Sequence, residues 1–497
     1  MALYDTVIKN GTIIEGTGLP RFKGDIAISG GRIAKIGRID AAEGTEVIDA
    51  EGLIVAPGFV DLHTHYDAQL HWDPYCTISG WHGVTSVAIG NCGFGFAPAR
   101  RESRERLLKM MTRTEQIPYD TMVAGMGLDW DWESLPEWMD HLDALPKGVN
   151  LLSYVPLNPL LVYVLGLEGA KAGRQATPDE QGEMNRLIDE AMDAGMMGFS
   201  FQRFGVNSVQ ADYDGTPMPT DVLPDETILA FADLLGKRGD GFIQLANATG
   251  GDITQNDQDR LFVEEIARRT GRPILYNAVI ASDDEGHEDI HLDTMKWIDS
   301  CFERNLRIYG QGATVRAPFV FTLEEWNLYD SVPSWNAATV GTLEEKFIKL
   351  ADPEVRKAMK SEEEKLATVG VGGPIEDIII EGTPGHPELN KYHGRTLADI
   401  AKEEGKHHID AMLDIGLAGD LKVVYKTASI SSTDPNKVGH MARNQHILPG
   451  VSDGGAHTKF FTGGSFTTDL LTWLVRDTKE LTLEQAHYRL SYLPAQA

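Results

Sequence analysis

The stretch Gly58-Phe59-Val60-Asp61-Leu62-His63-Thr64-His65 constrains this chain more than any other, because an apolar run ends in two histidines one residue apart. Successive side chains of a β-strand point to opposite faces, so a strand through this stretch puts His63 and His65 on one side and Thr64 on the other. Two imidazoles so placed can hold one metal ion, and imidazole suits zinc and its first-row neighbours. In a parallel barrel, the carboxyl end of such a strand lies at the face where active sites are built. Spacing alone defines a metal site loosely, so the rest of the chain must supply further donors.

The chain of 497 residues is long enough for a barrel with a smaller domain and insertions. Residues 1–56 read as a small β domain. Val7-Ile8 and Thr12-Ile13-Ile14 precede strands at Asp25–Ser29 and Arg32–Gly37, joined by Gly30-Gly31, which suits the positive φ of a tight hairpin. Glu46–Asp49 and Leu53-Ile54-Val55 complete it. From residue 57 onward strands alternate with helical segments, which implies parallel strands and crossover helices, an α/β fold of the (β/α)8 TIM-like barrel type.

After the histidine strand, the expected strands are Val84–Ile89, Val149–Val155, Met197–Ser200, Phe242–Ala246, Pro273–Asn277, Leu306–Gly310 and Ile447–Ser452. Thr177-Pro178-Asp179-Glu180 reads as a capped helix start. Further helices are expected near Asp225–Lys237, Gln258–Arg269 and Leu292–Arg304. The stretch from about 313 to 439, mostly helical and charged, is too long for a loop and reads as an insertion before the eighth strand.

Charge narrows the partners. Lys plus Arg number 45 against 74 Asp plus Glu, a formal charge of −29 that repels phosphate backbones and anionic lipid. Nucleic acid and membrane are therefore not expected as partners, whereas a small-molecule substrate is, and a homo-oligomer is compatible with the sequence. The N-terminus lacks a basic segment followed by an apolar core, so a cytoplasmic location is expected. Three scattered cysteines cannot make a disulfide framework, which points any special cysteine toward a metal or redox role.

Asp453 follows the eighth strand and precedes Gly454-Gly455. Alone it reads as a turn residue, but in a closed barrel the first and eighth strands are neighbours, which brings it to the two histidines. Cys92, in Gly90-Asn91-Cys92-Gly93 after the second strand, is either a thiolate ligand or a small buried apolar residue. His457 is a substrate-side candidate or a loop histidine. Arg203, after the fourth strand, could pair with a substrate carboxylate or cap a helix.

Gly58 to His65, Trp81-His82-Gly83-Val84-Thr85 with Gly90-Asn91-Cys92-Gly93, and Val451-Ser452-Asp453-Gly454-Gly455-Ala456-His457 together resemble the amidohydrolase superfamily. Within it they resemble the N-acyl-D-amino-acid deacylase (D-aminoacylase) branch. The resemblance implies a metal-bearing barrel in which His63, His65 and Asp453 hold one position and Cys92 replaces a bridging carboxylated lysine. It also implies strands continuing beyond Ala497 to rejoin the β domain. The branch carries a histidine at the end of the fifth strand and another at the end of the sixth. Here those strands read Phe242-Ile243-Gln244-Leu245-Ala246-Asn247 and Pro273-Ile274-Leu275-Tyr276-Asn277-Ala278.

The expected function is metal-dependent hydrolysis of an amide or related C–N bond in a small N-acyl amino acid-like molecule. One Zn2+ ion is expected, held by His63, His65, Cys92 and Asp453. Asp453 doubles as general base, and Arg203, Gln244, Asn277 and His457 contact substrate. The alternatives are hydrolysis of a cyclic amide, ester or xenobiotic-like substrate, and a catalytically reduced ligand-binding barrel.

Overall fold

A computed structural model describes residues 2–250, 255–283, 286–325, 329, 331–366, 372–457 and 463–497. Five strands come first: β1 (Tyr4–Ile13), β2 (Phe22–Ser29), β3 (Arg32–Gly37), β4 (Gly44–Asp49) and β5 (Ile54–Val55). They form one sheet in the order β3-β2-β1-β4, with β5 also paired to β1. The Gly30-Gly31 turn has φ of 58° and 72°, as the dipeptide predicts. The two pieces expected around residues 7–14 are a single strand with a register shift between Ile8 and Gly11. Val7, Ala27 and Ile39 form its buried cluster.

The parallel strands follow: β6 (Phe59–Asp61), β7 (Val84–Ile89), β8 (Asn150–Ser153), β9 (Val155–Pro156), β10 (Gly198–Arg203), β11 (Phe242–Asn247), β12 (Ile274–Ile280) and β13 (Ile308–Ala313). Three strands between residues 318 and 429, namely β14 (Pro318–Phe321), β15 (Ile379–Gly382) and β16 (Val424–Ser429), make a separate antiparallel sheet in the order β14-β16-β15. The stretch read as mostly helical therefore carries its own sheet. Part of it lies outside the described residues. The last strand is β17 (Ile447–Gly450).

One parallel sheet runs β6-β7-β8 and a second runs β17-β13-β12-β11-β10-β9. The third expected strand is divided into β8 and β9, with Tyr154 between them donating its N–H to the Ile89 carbonyl. On the other side a bridge between Thr64 and Gly454 joins the segment after β6 to the segment after β17. Leu62, Ala88, Tyr154, Leu275 and Leu448 cluster across these strands, and Leu493 from the last helical segment packs among them.

The strands' opposite faces meet helices whose ends follow local chemistry. Thr177 caps Pro178–Asp193 with a capping box to Glu180, and Asn256 caps Asp257–Thr270 in the same way. Gly239 and Gly271 close helices in the left-handed conformation. No helix among the described residues is long and apolar enough to cross a membrane.

Candidate metal centre

The strand expected to carry both histidines stops at Asp61, so His63 and His65 lie beyond it rather than on it. Contacts from both flanks hold the pair instead. The Thr64 hydroxyl donates to the Ala88 carbonyl at 2.6 Å, and the His65 N–H donates to the Gly454 carbonyl at 2.8 Å. The rings sit with centroids 5.4 Å apart. His63 Nδ1 lies 3.1 Å from Gln311 Oε1 on β13, which directs Nε2 away from that strand.

Cys92 sits in a turn that the sequence around it dictates. Gly90 has φ of 78°, and a Cβ there would come 2.7 Å from the Tyr154 carbonyl oxygen, so only glycine fits. The Asn91 carboxamide donates to the carbonyls of Thr64 and Ala88 at 2.9 Å each, and the Gly93 N–H donates to Ser200 Oγ at 3.0 Å. Asn91-Cys92-Gly93 thus ties the turn to the histidine segment and to β10. Cys92 Sγ lies 3.5 Å from His63 Nε2.

Asp453 completes the group. Its N–H donates to the His63 carbonyl at 3.2 Å, and its Oδ1 lies 3.4 Å from His63 Nε2 and 3.7 Å from His65 Nε2. The glycines after it are a packing requirement, because a Cβ on Gly455 would come 2.6 Å from the Tyr66 Cα. His63, His65 and Cys92 are all buried, with donor atoms within 4.8 Å of one another.

Burial lowers the His63 pKa, against the opposing charge of Asp453. Burial also pushes the Cys92 thiol well above its ordinary 9.0, helped by the charges of Glu115 and Asp453. A divalent ion reinforces the first tendency and reverses the second, since it favours neutral imidazole and thiolate. His65 Nδ1 is buried without a hydrogen-bond partner, so its other nitrogen faces the carboxylate unconstrained by that side. Ligand atoms on one ion with bonds of about 2.0–2.3 Å lie roughly 3.3–3.7 Å apart, and the spacings of His63 Nε2 to Cys92 Sγ and of Asp453 Oδ1 to both imidazoles fall in that range. The residues fit a zinc-type ion.

The substrate-side candidates divide. Gln244 reaches Cys92: its Oε1 accepts the Cys92 N–H at 2.7 Å, and its Nε2 lies 3.9 Å from Sγ. Asn277 stands between Ala246 and Gln311 in the strand register, with a buried Oδ1 that accepts no hydrogen bond. His457 Nε2 lies 3.3 Å from Glu115 Oε2. Arg203 is placed elsewhere, ion-paired to Asp225 at a helix start with its guanidinium 4.5 Å over the Phe262 ring. The structure does not bring Arg203 to the histidines, because these partners already satisfy its charge and its flat face.

Sequence reasoning missed Glu115. It ends the helix Arg104–Thr114, its side chain is 2% exposed, and its Oε2 lies 3.7 Å from His65 Nε2. Burial raises its pKa, but His65, His457 and His63 outweigh that and hold it below 4.5. The sequence offers little sign of this, because Arg113-Thr114-Glu115-Gln116 before Ile117-Pro118 reads only as a polar helix end.

The chain is similar to several known proteins. Over 98% of its length the chain is 27% identical to an uncharacterised protein of Mycobacterium tuberculosis, of which it covers 80%. It is 36% identical to an N-acyl-D-aspartate deacylase of Alcaligenes xylosoxydans xylosoxydans over 41% of this chain and 37% of that one. Among solved structures, an N-acyl-D-glutamate deacylase of Bordetella bronchiseptica, complexed with zinc and a phosphonate inhibitor, superposes with a TM-score of 0.63 at 22% identity. That match covers 99% of this chain and 85% of the other. A D-aminoacylase gives 0.64 at 22% identity with the same coverage. The amidohydrolase family model matches residues 46–497, and the chain belongs to that family.

Proposed function

We propose that this protein is a zinc-dependent amidohydrolase that cleaves the amide bond of a small N-acyl amino acid-like substrate at the His63–His65–Cys92–Asp453 centre. The observation that carries the reading is the buried group of two imidazole nitrogens and a thiol, with the Asp453 carboxylate oxygen 3.4 and 3.7 Å from the two imidazoles. The parallel strands act as one (β/α)8 barrel, closed through the Thr64–Gly454 bridge and the β8/β9 junction. Residues 1–56 serve as a small β domain, 57–497 as the catalytic barrel, and about 313–439 as an insertion into it.

When bound, the ion lowers the pKa of water and polarises the substrate carbonyl. The chain's own groups do the rest. Asp453 Oδ1 accepts a proton from the attacking water and delivers it to the leaving nitrogen. His63 is oriented by Gln311, and the hydrogen bonds of Thr64 and His65 keep the segment from moving as charge develops. Gln244 fixes the Cys92 turn, while the buried, unpartnered Asn277 Oδ1 accepts a substrate N–H. With carboxamides on β11 and β12, a single ion is favoured over a pair. The net charge of −29 fits a small-molecule enzyme of the cytoplasm.

His63→Asn tests the centre. Cation content and activity should fall together, and full activity in a variant that has lost its bound ion would overturn the reading.

A further inference from the structure

We infer that Glu115 is itself a ligand of the cation, through Oε2, so that the centre is built from His63, His65, Cys92, Asp453 and Glu115. This rests on the metal-dependent reading above and changes which residues hold the ion.

The first argument is burial. The Glu115 side chain is 2% exposed, and the ion pairs shown for it go to His65 and His457, not to lysine or arginine. Its Oε2 is buried without an aligned hydrogen bond. A carboxylate kept from water is stable only when a positive charge or hydrogen-bond donors replace the lost hydration.

The second argument is what His65 presents to it. An imidazole that holds an ion through Nε2 offers a lone pair there. Asp453 Oδ1 and Glu115 Oε2 each lie 3.7 Å from that nitrogen. A lone pair and two anionic oxygens so close repel one another until a cation sits among them. The Glu115–His65 spacing equals the Asp453–His65 spacing, and both lie within the roughly 3.3–3.7 Å that separates ligands of one zinc-type ion.

The third argument is placement. The His457 N–H donates to the Glu115 carbonyl, so the helix end that carries Glu115 is tied to the loop that carries Asp453. Both carboxylates thus approach the same nitrogen of His65, Nε2. Beside Cys92 the neighbouring side chain is Gln244, whose carboxamide is a poor zinc ligand.

The test uses the full-length protein freed of metal and titrated with Co2+ against a competing chelator. The wild type should bind Co2+ with a sulfur-to-metal charge-transfer band from Cys92. Glu115→Gln should keep that band, shift the ligand-field bands, and lose affinity by more than about 100-fold, above the roughly 10–100-fold cost of losing a group that only supports a ligand. Its metal-free melting temperature should match that of the metal-free wild type. Unchanged affinity and ligand-field bands in Glu115→Gln would overturn the assignment while leaving the metal centre intact. A wild type that binds no Co2+, or binds it without the sulfur band, would overturn the metal-centre reading and this inference together. A crystal structure of the Co2+-loaded wild type decides without any variant: a Glu115 oxygen about 2.0–2.3 Å from the ion supports ligation, and one beyond about 3 Å refutes it.

Discussion

Asp453→Asn is the sharpest probe of the chemistry, because the fold leaves little for the substitution to disturb except the base. Asp453 has φ of 48°, in the left-handed region, and asparagine is among the few residues that enter it readily. Alanine at the same position would add a backbone cost of about 1–2 kcal/mol and confuse the result. The main-chain bond from residue 453 to the His63 carbonyl is untouched by the change, and Asn retains an oxygen where Oδ1 lies 3.4 Å from His63 Nε2. What is lost is the capacity to take a proton. Loss of a general base costs about 10²–10⁴-fold in rate, or roughly 2.7–5.4 kcal/mol of transition-state stabilisation. The assay is kcat/KM on a verified N-acyl substrate, with bound metal and melting temperature measured on the same preparation. With Zn2+ supplied in excess to offset weaker binding by an asparagine ligand, metal and fold should be retained while activity falls by that factor. A variant within a few-fold of the parent would show that Asp453 is not the base and make His457 the next residue to test.

The remaining predictions bear on the small sheet and on ion number. Val7→Ala empties part of the Val7–Ala27–Ile39 cluster and removes two carbons, a loss of about 1.6 kcal/mol at roughly 0.8 kcal/mol each. It should lower the melting temperature with kcat unchanged, and a selective loss of kcat would contradict a structural role for the sheet. Asp25 is pulled from the ordinary 3.8 to about 2: burial acts to raise it, but Lys9 and the N–H groups of Asn10 and Ile39 outweigh burial. A lowered carboxylate pKa stabilises the fold above the unfolded value, and the gain is lost as pH falls through the folded one. Asp25→Asn should therefore weaken the protein near neutral pH and flatten its acid unfolding between about pH 4 and 2, read by circular dichroism. Gln244→His with Asn277→His should raise the tightly bound zinc from one toward two ions per chain, and two ions already present in the wild type would refute the single-ion expectation.

Much of the centre was legible because its donors sit in rigid local motifs. Gly90-Asn91-Cys92-Gly93 stands at the end of an expected strand, and Asp453 before two glycines reads as following another. The alternating pattern then brings first and last strands together. The approximations arose where long-range contacts decide the outcome. His63 and His65 fall past the end of β6 because hydrogen bonds to Ala88 and Gly454, distant in sequence, define that segment. The sequence leaves Arg203 between a substrate partner and a helix cap, because its partners, Asp225 and Phe262, come from later elements. The sheet of β14, β15 and β16 was hidden because its strands are four to six residues long and lie up to about a hundred residues apart. Glu115 could not be found because burial of a helix-terminal carboxylate leaves no local pattern.

The most direct test of the central claim is activity against stoichiometric metal. Protein stripped of metal and reconstituted with increasing Zn2+ is assayed on N-acetyl amino acids of both hands, alongside a cyclic amide and an ester. The account predicts no turnover without metal, and hydrolysis of at least one N-acetyl amino acid that rises with Zn2+ to a plateau at one ion per chain. Turnover that survives complete removal of metal, or a zinc-loaded protein that cleaves none of the N-acetyl amino acids, would contradict it.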